Sequence, residues 1–209
     1  MFAAILVPLR TPQERAAYLL THFWDSLNFA DTLHSRNSIF MEQNLISYFS
    51  LFPHVQAEAR IMAVKSLMQR AEVDETAYRL LARLAEKHLY TFGSPMQNEE
   101  YFIPFLEEIV GTSPLDETEK SRFRFLLSAA LKNRPGTMAT DFTYLTPNGE
   151  LQTLYTVPAT YRLLLLFYDP DCLHCREIIT ALSTASCLQQ QIESGQLTVL
   201  AICVGEDRD

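Results

Sequence analysis

The spacing of apolar residues changes period once along this chain, near Asn133-Arg134-Pro135-Gly136. A change from a 3.6-residue to a 2-residue period restricts the fold to a helical part followed by a part that contains strands. Upstream, Ala16, Leu20, Phe23, Trp24 and Leu27 recur at helical spacing, and Thr11 before Pro12 predicts an N-cap with proline in the first turn. A second helix is predicted over roughly 41–52, ending at Pro53, and a third carries Ala57, Ile61, Val64, Leu67 and Met68. Asp74 caps a fourth, whose apolar face holds Ala77, Leu81, Leu84, Ala85 and His88. Tyr101, Phe102, Phe105, Leu106 and Ile109 form a fifth stripe, in which Pro104 fits only near a helix start. A sixth helix is predicted from about Asp116 to Lys132.

Downstream of the boundary, Phe142-Thr143-Tyr144-Leu145 and Leu151-Gln152-Thr153-Leu154-Tyr155 flank Thr146-Pro147-Asn148-Gly149. Proline followed by Asn-Gly suits a tight reversal, so a β-hairpin is expected. Next come an apolar strand at 161–168, one helix from about Cys172 to Glu193, and a strand at 197–204. The order is β-β-β-α-β. Two strands joined by a helix make a right-handed parallel crossover, and the first, apolar on both faces, is expected in the middle of a sheet. The predicted class is therefore α+β, with a helical domain over 1–134 and a strand-containing domain over 135–209.

Seventeen Lys and Arg against twenty-five Asp and Glu give a net charge of −8, which argues against a nucleic-acid surface. The opening Met1-Phe2-Ala3-Ala4-Ile5-Leu6-Val7-Pro8-Leu9 lacks a basic start and a cleavage site, so it is not a complete export signal. No stretch approaches the roughly 20 apolar residues that span a bilayer. There is no glycine-rich phosphate loop and no GxSxG.

All four cysteines, 172, 175, 187 and 203, fall late in the chain. Cys172-Leu173-His174-Cys175 follows the apolar strand directly and opens a helix. Cysteines three apart at a helix start lie within disulfide reach, and the free N–H groups there favour a thiolate. The other readings are two packed thiols or half of a zinc site, for which no second CxxC or HxxxH completes the usual four ligands. Cys187 and Cys203 are expected as small core residues, as are Trp24 with its neighbours His22 and Phe23, and Met41, Met62, Met68 and Met96. Glu99-Glu100 and Glu107-Glu108 are expected to serve solvation and the helix dipole.

With these residues placed, the chain resembles a thioredoxin-like thiol:disulfide oxidoreductase of the cell-envelope type. Gly136-Thr137-Met138-Ala139-Thr140-Asp141-Phe142 is similar to that family's Gly…Ala-Pro-Asp-Phe lead-in, with Thr140 where proline is usual, and Asn148-Gly149-Glu150 to its hairpin turn. The helical half resembles a domain of unknown function found fused to such modules in Bacteroidetes envelope proteins, through Pro12–Leu19, His22–Asp25, Ser94–Glu99 and Lys132–Gly136.

The resemblance implies that Cys172 attacks a substrate disulfide, that Cys175 resolves the mixed disulfide, and that no metal or organic cofactor takes part. His174 lies where strongly oxidising relatives carry a histidine that supports the thiolate, whereas Asp171, in place of an aromatic, is expected to raise the thiol's pKa. It also implies a protein dithiol or disulfide substrate and a periplasmic or envelope location, the export signal not being in this chain. No proline follows Cys175, so the family's cis-proline is missing and the module reads as C-terminally truncated. A strand left without its neighbour there is expected to pair with a second copy, giving a homodimer through 161–168. The competing class is a non-catalytic binding or assembly protein whose helical half engages a partner while the rest is scaffold.

Overall fold

Thr11 and Glu14 form a reciprocal capping box: the Glu14 N–H donates to Thr11 Oγ1 at 3.1 Å and the Thr11 N–H to Glu14 Oε2 at 3.0 Å. With Pro12 as the first residue, this starts α1, Pro12–His22. The computed structural model describes residue 9 and residues 11–111, 114–158 and 161–204. The chain divides into two units, Met1–Ala139 and Thr140–Asp209.

The first unit continues with α2 (Thr32–Ser35), α3 (Ser38–Phe49), a 3₁₀ turn (Phe52–His54), α4 (Ala57–Ala71), α5 (Glu75–Leu89), α6 (Glu99–Gly111) and α7 (Glu117–Ala130). Asp74 and Asp116 cap α5 and α7, accepting from the N–H groups of Ala77 and Glu119, each at 2.8 Å. α3 starts and ends earlier than its apolar pattern predicts, because the Asn37 side chain accepts the Phe40 N–H at 3.1 Å and Pro53 sits in the 3₁₀ turn. α2 is an added element, a single turn capped by Asp31 at the Leu33 N–H, too short to show a period. Pro104 lies in the second turn of α6, further in than expected.

The core of this unit is aromatic. Phe49 stands edge-on to Phe52 and Phe105 at centroid distances of 5.4 and 5.8 Å, and Phe52 meets Tyr101 at 5.4 Å. α6 packs against α4, α5 and α7. Met41 and Met68 are buried, whereas Met62 is 72% exposed, against expectation. The buried line of α4 is Ala63, Val64, Leu67, Met68 and Ala71; on a wheel of about 100° per residue, Met62 falls opposite it and Ile61 on its flank. Trp24 is buried as expected, while the His22 ring faces outward to Asp25 at 2.7 Å. His88 keeps its place on α5 by pairing its Nε2 with Glu42 at 2.7 Å.

In the second unit, β1 (Thr143–Leu145) and β2 (Leu151–Thr153) form the expected antiparallel hairpin, with Gly149 at φ +79° in the turn. A 3₁₀ turn, Leu154–Thr156, follows. β3 (Arg162–Tyr168) pairs in parallel with β4 (Leu197–Cys203), Arg162 opposite Leu197 and Tyr168 opposite Cys203. The connection is two helices, α8 (Leu173–Thr184) and α9 (Ser186–Glu193), where the sequence predicts one. They break at Ala185, whose ψ is 106°. The Ser183 and Thr184 hydroxyls both donate to the Thr180 carbonyl, and such side-chain bonds compete with the helical ladder.

β3 is half-buried rather than enclosed, and β4 is its strand neighbour among the described residues. Leu164, Leu166 and Tyr168 face α8 and α9 across an apolar cavity of about 350 Å³. Alternation puts Phe167 on the other side, 5.5 Å from Phe142. Cys187 and Cys203 are exposed, not core residues; α8 and α9 bury no residue fully, and the buried residues of this unit, among those described, are Leu154 and Leu197. The fold is α+β.

Candidate redox site

The strand β3 ends at Tyr168, and Asp169-Pro170-Asp171-Cys172 turns the chain into α8. The Cys172 N–H donates to the Asp169 carbonyl at 3.2 Å, which closes a β-turn with Asp first and Pro second. The Asp171 N–H donates to Asp169 Oδ1 at 2.9 Å, an Asx turn inside the same four residues. Arg176, one helical turn on, donates from Nε to the Pro170 carbonyl at 2.9 Å. The turn is thus held from both ends.

Cys172 is the N-cap of α8, where Ser, Thr, Asp or Asn usually stands. Its Sγ accepts the Cys175 N–H at 3.4 Å, so the sulfur does the work of a capping oxygen. That backbone bond, helped by one from the Cys175 thiol and by the His174 N–H, pulls the Cys172 thiol below its ordinary pKa; burial and the Asp169 carboxylate push the other way. Cys172 and Cys175 are both half-buried free thiols.

The Asp169 carboxylate also opposes the Cys172 thiolate, and the Asp171 N–H is tied into the turn. His174 acts on Cys172 through its backbone N–H, while its ring turns to Glu177, Nδ1 to Oε2 3.5 Å, both side chains being 78% exposed. Asp169 was open to sequence reasoning, since Asp-Pro after a strand is a turn signal.

Beside the turn lies a cleft of about 880 Å³ at the carboxyl ends of β3 and β4, lined by residues 143–147, 168–171 and 201–204. Cys203 is among its lining residues, and Asp171, which precedes Cys172, is another. Among the described residues no group of three or more His, Cys, Asp or Glu could hold a metal ion, and no helix is long and apolar enough to cross a membrane. The paired glutamates serve the helical unit: Glu100 takes a fork from Arg134, and burial, first among its influences, raises the pKa of Glu108.

A hairpin, a strand, a CxxC turn at a helix N-terminus and a parallel return strand define a thioredoxin-like protein, here behind a helical unit. A thioredoxin-like protein from Bacteroides caccae, known from its crystal structure, superposes with a TM-score of 0.90 at 37% identity, over 99% of this chain and 74% of its own. The profile of the domain of unknown function DUF5106 matches residues 2–133, and the chain belongs to that family. No protein with a curated description matches it.

Proposed function

We propose that the chain acts as a thiol:disulfide oxidoreductase through Cys172 and Cys175. The observation that carries the reading is the Cys175 N–H bonded to Cys172 Sγ at a helix start, with the Cys172 pKa lowered by that bond first. A thiolate so favoured is the competent nucleophile in thiol–disulfide exchange.

In the reducing direction, Cys172 S⁻ attacks one sulfur of a protein disulfide, the substrate's S–S bond breaks, and the other sulfur leaves as a thiolate that takes up a proton. Cys175, losing its proton, attacks Cys172 Sγ, the mixed disulfide breaks, and the second substrate sulfur leaves. Two electrons pass to the substrate and the Cys172–Cys175 pair is oxidised; a donor dithiol returns it to the start. The reverse sequence oxidises a substrate dithiol. The cleft beside Asp171 gives an extended substrate segment room next to the nucleophile.

The same reading puts the protein in the cell envelope, and the similarity to the B. caccae protein supports a bacterial source related to Bacteroides. It also gives the outer edge of β3 a second copy as partner; a monomer by sedimentation velocity at high concentration contradicts that part alone. The function itself is tested by reduction of insulin disulfides with a thiol donor, comparing the chain with Cys172→Ser. Loss of turnover in the variant is expected. Equal rates reject the reading and leave a binding role for the protein.

A further inference from the structure

We propose that Asp169 is the positioning residue of the reactive turn: its carbonyl and carboxylate oxygens hold Cys172 at the helix start, and its negative charge stands beside the nucleophile. The inference rests on Cys172 being the attacking thiol, and it adds a residue that the CxxC motif does not contain.

Three observations carry it. The Asp169 carbonyl accepts the Cys172 N–H at 3.2 Å and its Oδ1 accepts the Asp171 N–H at 2.9 Å, so one residue fixes two of the three that follow it. Pro170 excludes the helical conformation at Asp169 and presets the next φ, which leaves the Asp169 side chain free to close the Asx turn. The third observation is electrostatic. Near Cys172 in the chain lie Asp169 and Asp171 in the turn and His174, Arg176 and Glu177 on α8, and the Asp169 carboxylate opposes the thiolate. Geometry and charge therefore pull apart: the oxygen atoms place the sulfur where α8 favours its ionisation, and the charge holds that ionisation back.

Two substitutions separate the contributions. Asp169→Asn keeps an oxygen acceptor for the Asp171 N–H and removes the charge; Asp169→Ala removes both. In the full-length chain, alkylation of Cys172 by iodoacetamide is followed across pH by mass spectrometry of its peptide, and exchange of the Asp171 and Cys172 amides by NMR. D169N should alkylate about threefold faster below the midpoint, the size expected of one unit charge a few ångströms away in water. Its amides should exchange at the rate of the unsubstituted chain. D169A should exchange about fivefold faster at the Asp171 amide, as for one lost hydrogen bond, while the Cys172 amide keeps its acceptor, the backbone carbonyl of residue 169.

Unchanged or slower alkylation in D169N overturns the proposal, as does undiminished protection of the Asp171 amide in D169A. Neither readout needs turnover. A chain inactive on disulfides whose D169N form still alkylates threefold faster rejects the enzyme reading and upholds the role of Asp169.

Discussion

Arg134 grips Glu100 through two parallel hydrogen bonds, Nε to Oε1 at 2.8 Å and Nη2 to Oε2 at 2.6 Å. The fork ties the turn after α7 to the first turn of α6, and it joins two of the sequence motifs, Ser94–Glu99 with its neighbour and Lys132–Gly136, by which the helical half is recognised. Bidentate pairs of this kind are the stronger class of ion pair, although both side chains are more than a third exposed, which limits the gain. Arg134→Ala should lower the unfolding free energy by about 1 kcal/mol at pH 7. Arg134 holds the Glu100 carboxyl below its ordinary pKa, so the contribution is present above roughly pH 4.5 and fades as pH falls through the lower folded value. Urea titrations of the two proteins should accordingly converge between pH 7 and pH 3.

Asp74 does two things at once. It caps α5 at the Ala77 N–H and receives the Arg36 guanidinium, which lowers its pKa. Asp74→Ala should cost about 1–2 kcal/mol, with Asp74→Asn recovering the cap but not the ion pair. Chemical denaturation of the three proteins gives the ordering directly.

Leu81 lies fully buried on α5 within the helical core. Leu81→Ala should destabilise by about 3 kcal/mol, through lost burial and a residual cavity. Thermal unfolding followed by circular dichroism at 222 nm checks the magnitude, and the alkylation rate of Cys172 in the folded variant should not change.

Much of the helical half was legible because its starts are chemically marked: Thr11, Asp74 and Asp116 are all caps, and each of their helices begins where the sequence places it. α2 escaped because four residues cannot display a 3.6-residue period. The break at Ala185 escaped for a different reason. Alanine is the best helix former, so the signal lay in the Ser-Thr side chains before it, whose choice of the Thr180 carbonyl depends on geometry.

At the site, strand, CxxC and helix could be ordered from sequence, since proximity along the chain determines them. The turn at Asp169-Pro170 was marked too, but the closing of its side chain on the Asp171 N–H and the direction of the His174 ring were not. Whether a side chain closes on its own turn or turns toward Glu177 is decided by a few ångströms that spacing does not encode. Burial of Cys187 and Cys203 was misjudged because the preference of free cysteine for interiors holds only where the element is covered, and α9 buries no residue while β4 buries only its first, Leu197.

The central claim is that Cys172 attacks and Cys175 resolves. Trapping tests it most directly: the Cys175→Ser variant is incubated with a disulfide-bonded protein such as insulin, quenched in acid, and resolved by non-reducing electrophoresis and mass spectrometry. A thiol-sensitive adduct on Cys172 is predicted in Cys175→Ser, strongly reduced in the Cys172→Ser/Cys175→Ser double variant. An adduct carried by Cys187 or Cys203 with Cys172 unmodified, or none at any cysteine, contradicts it.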